Sequence, residues 1–304
     1  MSGLLVIGDV VTDILALPKG PVSAGVDVDA EIAMLPGGSG ANTAAWAARL
    51  GAPTRMLARV GEDSGRWHAE ELRRAGVDTC LRFDPAQPTA TVIALIDPTG
   101  ERSMLTNRGA GGLLGVEDWD PALLDGIAHL HLSGYVLFAP SGLALAGMAI
   151  TAARARGVTI SVDPASTGFL TGFGVKRFLQ VTAALNLVIP NRDEVRMLTG
   201  STDPEAAAEK LSSAYGLAVV KLGADGAIAA RGGRIVARAE ATAERVLDST
   251  GAGDAFAAGF LAARLSGADE EEALRAGCRA GGKAVGLFGG RPPPPGPAPS
   301  PDLA

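Results

Sequence analysis

Cysteine is scarce in this chain of 304 residues: Cys80 and Cys278 are the only two, and nearly 200 positions separate them. A chain of this length buries enough apolar surface to fold without disulfide bonds, which excludes a cysteine-stapled secreted scaffold and predicts a cytoplasmic location. Histidine is almost as rare. His68, His129 and His131 lack the spacing of metal ligands, so they are interpreted as structural residues.

Positive charge is also in short supply. The chain has 27 Lys and Arg residues against 33 Asp and Glu residues, a net charge of −6. No basic run is interleaved with aromatic residues, so nucleic acid is excluded as an expected partner. Hydrophobic residues make up 47% of the sequence, which predicts a large buried core and excludes disorder for most of the chain.

Neither of the two long apolar stretches predicts association with a membrane. The first residues, MSGLLVIGDVVTDILALP, lack a basic segment and are interrupted by Asp9 and Asp13, which predicts a strand and not a signal peptide. Residues 132–153 are uncharged and long enough to span a bilayer, but Pro140 and Gly142 divide them. We therefore expect a buried strand followed by a buried helix.

Short β-branched runs alternate with alanine-rich helical runs along most of the chain, and this alternation predicts an α/β fold with a largely parallel sheet covered by helices on both faces. Residues 11–36 and 81–107 break the rhythm with strand-like pieces and no helix, so they are predicted to form a small β lid inserted in a domain spanning 1–290. Residues 291–304, RPPPPGPAPSPDLA, are predicted to form a disordered tail because most of the prolines lack a backbone donor.

The sequence most informative about chemistry is DSTGAGDAF, residues 248–256, which precedes an apolar, alanine-rich helical run. Gly251 and Gly253 allow the backbone to turn tightly where a helix is predicted to begin, near Ala252. The start of this helix would direct free N–H groups at one point and so form an anion hole. Asp254, in the first turn, would lie beside them as a base that accepts the proton of a hydroxyl. Taken alone, however, this aspartate is better explained by a favourable interaction with the helix dipole.

At its full length this region, DSTGAGDAFAAGF, resembles the carboxy-terminal signature of the ribokinase-like (PfkB-type) carbohydrate kinases, DTTGAGDAFxxGF. The resemblance covers residues 4–290. It implies a three-layer α/β/α sandwich with a small β-sheet lid and transfer of the γ-phosphoryl group of ATP to a hydroxyl of a sugar or sugar derivative. It also implies Mg²⁺ with ATP, a response to K⁺ bound by backbone carbonyls, and a homodimer formed through the lid.

Two segments near the N-terminus resemble the substrate-binding elements of that family, namely GDVVTD at 8–13 and PGGSGAN at 36–42. Asp13 and Asn42 can bond hydroxyls as acceptor or donor, while Gly38 allows a ligand to approach the backbone. These three residues are the predicted acceptor site. A plain loop followed by a helix start would produce the same pattern.

Residues 190–194, PNRDE, resemble the family's NxxE motif, which implies that Asn191 and Glu194 organise Mg²⁺ through its bound waters. The same spacing is that of a helix capping box, and both interpretations remain open. The segment KLGADGA from Lys221 predicts a hairpin, and by the same resemblance Lys221, Gly223 and Gly226 are assigned to ATP binding.

The acceptor is less well determined by the sequence. A typical ribokinase has Asn where Val11 stands and Lys where Ser39 stands, which argues against ribose. Arg108 could bind an acidic or phosphorylated substrate, or form a surface salt bridge. A nucleoside kinase, with Phe83 stacking on the base, and a non-catalytic sensor of sugars or nucleotides are the alternatives. A dinucleotide-dependent oxidoreductase is disfavoured because no GxGxxG follows the first strand.

Overall fold

The computed structural model describes residues 2–96, 102–183, 185–242 and 245–293. Within these ranges the strands are Gly3–Ile7 (β1), Val11–Pro18 (β2), Ala30–Gly37 (β3), Thr54–Gly61 (β4), Val77–Asp84 (β5), Ala90–Ile96 (β6), Arg102–Asn107 (β7), Ile127–Ser133 (β8), Thr159–Asp163 (β9), Leu187–Val188 (β10), Leu217–Lys221 (β11), Ala227–Arg231 (β12) and Arg234–Ala239 (β13).

The α-helices of the same ranges are Ser39–Arg49 (α1), Gly65–Arg74 (α2), Gly134–Leu137 (α3), Pro140–Ala155 (α4), Thr167–Phe173 (α5), Val175–Val181 (α6), Arg192–Thr199 (α7), Pro204–Ser212 (α8), Ala252–Leu265 (α9) and Glu270–Ala284 (α10). Several begin with sequence signals that favour a helix start: Asp203 caps α8, Asp269 caps α10, and a proline opens α4.

Nine strands form the central sheet in the order β13-β12-β11-β10-β9-β8-β1-β4-β5. The pairs from β11 to β5 are parallel, whereas β12 and β13 run antiparallel at one edge. Alternate residues of β1 enter two separate cores: Leu4 and Val6 pack towards α1, α9 and α10, and Leu5 and Ile7 pack towards α4 on the other face. The predicted three-layer α/β/α sandwich is confirmed.

A second sheet of four strands, in the order β3-β2-β6-β7, forms the lid. Its first half matches the predicted segment 11–36. The second predicted segment began too early, because residues 81–84 belong to β5 and pair with β4 in the central sheet. The lid strands of that half start only at Ala90. Strands of both sheets contain β-branched residues, so the presence of such residues could not show which sheet a strand joins.

The long uncharged stretch folds as expected. It supplies the end of β8 and then, after the short α3, the helix α4, which starts at Pro140. Among the described residues, none of the helices is both long enough and apolar enough to cross a membrane.

The prediction of a disordered tail from residue 291 was wrong at its first residues. The Arg291 side chain donates hydrogen bonds to two groups of the protein, and Pro292 is buried. Residues 294–304 lie outside the described part of the chain. The run of prolines hid the boundary, because proline content reports missing backbone donors and carries no information about an arginine side chain.

Candidate active site

A cavity of about 540 Å³ lies at the carboxyl edge of the central sheet, beneath the lid. Strands β1, β9, β10 and β11 end there, and each supplies a polar residue at or just beyond its end: Asp9, Asp163, Asn191 and Lys221. Ligands of open α/β sheets bind at this edge, because the strand ends and the loops that follow them converge there.

Helix α9 starts at the cavity, and glycine makes the start possible. Gly251, the residue before the helix, has φ of 73°, and a Cβ there would lie 2.4 Å from Gly290 Cα. Gly251, Gly253 and Asp254 line the cavity, and Ala252 begins the helix between them. The first backbone N–H groups of a helix have no partner within it, so this turn is suited to binding an anion.

Asp254 is held by two side chains of the glycine-rich segment that opens α1. Ser39 Oγ donates to Asp254 Oδ1 at 2.8 Å, and Asn42 Nδ2 donates to Asp254 Oδ2 at 2.9 Å. Burial raises the pKa of Asp254 to about 7, against the opposing effect of these two hydrogen bonds. A carboxyl group with this pKa is matched to proton transfer near neutral pH.

Asn42 was predicted to bind substrate hydroxyls, and the structure gives its amide other partners. The amide nitrogen donates to Asp254, and the amide oxygen accepts a hydrogen bond from Arg291 Nε at 3.0 Å. Asn42 is buried and lies at the cavity wall. Its side chain therefore fixes the orientation of Asp254.

The other two predicted acceptor residues lie in the cavity wall. Asp13 projects from β2 of the lid, and burial, followed by the charge of Asp9, raises the pKa of its carboxyl group to about 6. Gly38 precedes α1 with φ of 94°. The carboxylate of Asp9 accepts hydrogen bonds from Ser39 N at 3.0 Å and Gly40 N at 3.1 Å, so it caps this helix.

Asn191 and Glu194, which also line the cavity, form a complete capping box at the start of α7. Glu194 N donates to Asn191 Oδ1 at 2.9 Å, and Asn191 N donates to Glu194 Oε2 at 2.8 Å. Burial, with the nearby charge of Asp163, raises the pKa of Glu194 to about 7, although Lys221 opposes this effect. Both side chains also line the cavity, so the capping role leaves them facing a ligand.

These donors fit a hydrated Mg²⁺ ion. Asn191, Glu194 and Asp163 line the cavity with the oxygen atoms that Mg²⁺ and its bound waters prefer, and two of the three are carboxyl groups. Lys221 Nζ supplies positive charge beside these carboxyl groups and donates a hydrogen bond to Asp163 Oδ2 at 2.5 Å. A Cβ on Gly253 would lie 3.3 Å from that ammonium, which places Lys221 beside the start of α9.

Gly223 and Gly226 are not brought to the cavity. They form the turn between β11 and β12, whose antiparallel pairing confirms the predicted hairpin, and neither is among the residues that line the cavity. The turn requires glycine there because the backbone has a positive φ, which is 83° at Gly226.

Arg108 enters the cavity from the end of β7. Its guanidinium lies over the ring of Phe169, 4.4 Å from the ring centroid. The Nη2 atom is buried and has no hydrogen-bond partner among the described residues. Burial lowers the pKa of Arg108, with Asp9 opposing, so the cation is only partly compensated.

Four cavity or neighbouring residues were missed by the sequence interpretation: Asp163, Tyr135, Phe169 and Arg291. Asp163 could have been found, because it ends a strand of a parallel sheet at the edge where ligands bind. Phe83, proposed to stack on a base, was wrongly placed. It is 40% exposed on β5 and is not among the residues that line the cavity.

Comparison with known proteins gives the family. Residues 1–296 match the profile described as pfkB family carbohydrate kinase. The chain is 30% identical to a 2-dehydro-3-deoxygluconokinase of Thermoproteus tenax over 297 residues, covering 95% of this chain and 90% of the relative. It is 33% identical to an ATP-dependent ribose-1-phosphate kinase of Halopiger xanaduensis, covering 85% of this chain and 83% of the relative.

Solved structures agree with this comparison. An adenosine kinase from Sinorhizobium meliloti is similar with a TM-score of 0.86 and 28% identity, covering 95% of each chain. A ribokinase II from E. coli, solved in complex with ATP and Mg²⁺, is similar with a TM-score of 0.85 and 26% identity, covering 95% of this chain and 94% of that chain.

Proposed function

The chain belongs to the pfkB family of carbohydrate kinases, and we propose that it phosphorylates a hydroxyl of a sugar that carries an anionic group, either a carboxylate or a phosphate. The observation that supports this acceptor class is Arg108, which lines the cavity and whose buried Nη2 atom has no hydrogen-bond partner among the described residues. An anion at this position would give the guanidinium the partner it lacks.

In the proposed reaction, the acceptor hydroxyl attacks the γ-phosphorus of ATP, and the bond from that phosphorus to the oxygen of ADP breaks. Asp254 accepts the proton of the attacking hydroxyl, because its pKa of about 7 allows it to be ionised at neutral pH and still bind a proton. Backbone N–H groups at Gly251, Ala252 and Gly253 would stabilise the negative charge of the transferring group. The N–H of Ala252 donates to the Ser249 carbonyl at 3.3 Å in this structure, so it would exchange this long hydrogen bond for one to the phosphoryl group. Ser39 and Asn42 keep the carboxylate pointing at the hydroxyl.

The nucleotide side of the cavity would hold ATP with Mg²⁺. The ion neutralises charge on the phosphates when it is bound, and Asn191 and Glu194 would hold its water ligands. Lys221, beside Gly253, would bring a positive charge to the phosphates. Asp163 accepts a hydrogen bond from Lys221 and so keeps the ammonium at this position.

The acceptor side is formed by one face of the lid. Alternate residues of β2, β6 and β7 face the cavity, and apart from Asp13 and Thr106 they are apolar. Asp13 would accept a hydrogen bond from a hydroxyl, and Arg108 would bind the anionic group. The names of two relatives specify acceptors of this class, a gluconate derivative and a ribose phosphate.

The experiment is ADP formation with sugar acids, sugar phosphates, neutral hexoses, pentoses and nucleosides as acceptors. We expect turnover on an anionic sugar and its loss in Asp254→Asn. Arg108→Met should lower kcat/KM for that acceptor by about 10²-fold, since a charged hydrogen bond contributes roughly 1.5–3 kcal/mol.

Arg177→Met is the matched control, because Arg177 also stacks on a ring, that of Phe173 at 4.6 Å, but is exposed and outside the cavity wall. This variant should keep wild-type turnover. A preference for neutral sugars, undiminished by Arg108→Met, would contradict the anionic acceptor class while leaving the kinase assignment intact.

A nucleoside is the second candidate acceptor, favoured by the ring of Phe169 in the cavity wall and by the likeness to an adenosine kinase. Arg108 covers one face of that ring, which leaves less aromatic surface for a base. Turnover on adenosine that exceeds turnover on every sugar would decide for the nucleoside. Binding of sugars without ADP formation would instead indicate a sensor.

The outer face of the lid supports a homodimer. Ile32 and Met34 are 66% and 59% exposed on β3, and Leu105 is 60% exposed on β7, the two edge strands of the lid. Ile14 and Ile93 lie between Met34 and Leu105 in register on β2 and β6, so an apolar row crosses this face, as is typical of an interface. We expect light scattering to give the mass of two chains. Met34→Glu should give one chain, whereas Val246→Glu, at an apolar position exposed outside the lid, should not. A wild-type mass of one chain would contradict the dimer.

A further inference from the structure

The loop that follows α10 returns to the base of the active site. Gly289 N donates to Asp248 Oδ2 at 3.0 Å, and Trp46 Nε1 donates to Gly290 O at 3.0 Å. A Cβ on Gly290 would lie 2.2 Å from Asn42 Nδ2, so the backbone packs directly on that amide. The next residue, Arg291, is therefore placed within a few ångströms of the groups that hold Asp254.

Arg291 makes two contacts with the glycine-rich segment. Its Nε donates to Asn42 Oδ1 at 3.0 Å, and its Nη2 donates to the Gly37 carbonyl at 3.0 Å. A guanidinium can only donate hydrogen bonds, so it requires the oxygen of the Asn42 amide on its own side. The amide nitrogen must then face Asp254, where a carboxylate accepts it. One arginine thus selects between the two orientations of the amide.

The second contact reaches the lid. Gly37 is the last residue of β3, and it pairs with Val11 at the start of β2. A Cβ on Gly37 would lie 2.0 Å from Asp13 Oδ2, so the backbone of Gly37 packs directly against the Asp13 carboxylate. Arg291 therefore contacts the point where the lid joins the central domain as well as the partner of the base.

The charges around Arg291 are consistent with this position. Burial lowers its pKa to about 10, opposed by Asp13, Glu71, Asp9 and Asp254, so the side chain is a cation at neutral pH. Its positive charge opposes the rise in the pKa of Asp13. The charges of Asp163 and Lys221 also act on the pKa of Asp254.

We propose that Arg291 is a positioning residue of the kinase: through Asn42 it orients the carboxylate of Asp254, and through the Gly37 carbonyl it fixes the junction of lid and central domain. This inference rests on the proposed role of Asp254 as the base. The proposal gives a function to Arg291, which the proline-rich sequence that follows it had led us to place in a disordered tail.

The test measures steady-state kinetics of the full chain with Arg291→Ala, Arg291→Lys and the control Arg279→Met, whose arginine pairs with Glu272 on the surface of α10. In Arg291→Ala we expect kcat to fall by roughly 10- to 100-fold, the effect of misplacing a catalytic group slightly, while KM for ATP changes little. Arg291→Lys keeps a charge but cannot donate in the same geometry, so it should recover only part of kcat.

Two readouts separate positioning from a structural role. The pH at which kcat/KM is half-maximal should rise in Arg291→Ala, because a loosened Asn42 donates less well to Asp254 and a cation is lost. Millimolar guanidinium should restore part of the activity of Arg291→Ala and none of the activity of Asp254→Asn. If Arg291→Ala does not fold, the pH profile of Arg291→Lys serves the same purpose.

Wild-type kcat and an unshifted pH profile in the Arg291 variants would overturn the proposal. So would a loss of kcat that follows the loss of folded protein and is not rescued by guanidinium. Activity that survives Asp254→Asn would instead show that the assignment of the base is wrong. The two failures are therefore distinguishable.

Discussion

Replacing the proposed base should remove turnover and at the same time stabilise the fold. Asp254 has a pKa near 7 in the folded chain against 3.8 for an ordinary aspartate, because burial disfavours its charged form. The folded state therefore binds the proton more tightly than the unfolded state, and ionisation of Asp254 destabilises the fold as pH rises. Asp254→Asn removes this ionisation while keeping the shape of the side chain.

The size of the effect follows from the two pKa values. The penalty is absent below pH 3.8, amounts to about 1.7 kcal/mol at pH 5 and reaches about 4 kcal/mol at pH 8. Since the side chain is partly exposed, screening reduces both figures. Asparagine accepts poorly from one of the donors Ser39 and Asn42, a loss of about 1–2 kcal/mol that does not vary with pH. When the pH rises from 5 to 8, the free energy of unfolding of the variant should increase by about 1–3 kcal/mol relative to that of the wild type.

Urea denaturation of both proteins at pH 5 and pH 8 measures this gain. Asp193→Asn is the control, since Asp193 also lies in the first turn of a helix but is exposed. Its difference from the wild type should stay nearly constant between the two pH values. A difference between Asp254→Asn and wild type that is the same at both pH values would refute the reasoning, because it would show that Asp254 ionises freely in the fold.

Two further predictions concern packing and protonation. Gly290→Ala should lower kcat, and in thermal melts it should reduce the free energy of unfolding by about 1–3 kcal/mol, as overpacking does. The reason is that the new Cβ would lie 2.2 Å from Asn42 Nδ2. Gly147→Ala, the control, has open space around the new Cβ and should be stabilising or neutral in the same melts. His131→Gln should be most destabilising above pH 6.5 and lose this effect towards pH 4. Burial lowers the pKa of His131 to about 4, so the ring, which is hydrogen-bonded to Ser161, stabilises the fold only while it is neutral. A difference in the free energy of unfolding from wild type that stays constant with pH would contradict this prediction.

The elements that build the cavity could be predicted because each has a local signal. Alternating runs predicted the parallel sheet, and the turn at Gly251 followed by an alanine-rich run predicted the start of α9 near Ala252. The position of Asp254 in that first turn followed from the same signal, whereas its role as the base came from the resemblance to the family and stays a prediction. These inferences need only the period of side chains along a strand or helix, so a single sequence is sufficient for them.

Contacts between distant parts of the chain had no such signal. Arg291 and Asn42 are 249 positions apart, and nothing in the spacing of either residue predicts that they meet. The same holds for Arg108 over Phe169. The start of the second lid segment was misjudged for a related reason, since the choice of sheet for residues 81–84 depends on which strand lies alongside and not on their own composition.

The contact between Asn42 and Arg291 also has a consequence for biosynthesis. Asn42 is made long before Asp254 and Arg291, which follow it along the chain by 212 and 249 positions. A nascent chain can form β1, α1 and the lid strands early, yet it lacks the proposed base and its support until residues 254 and 291 have been added. A chain cut short before these residues should therefore have no kinase activity.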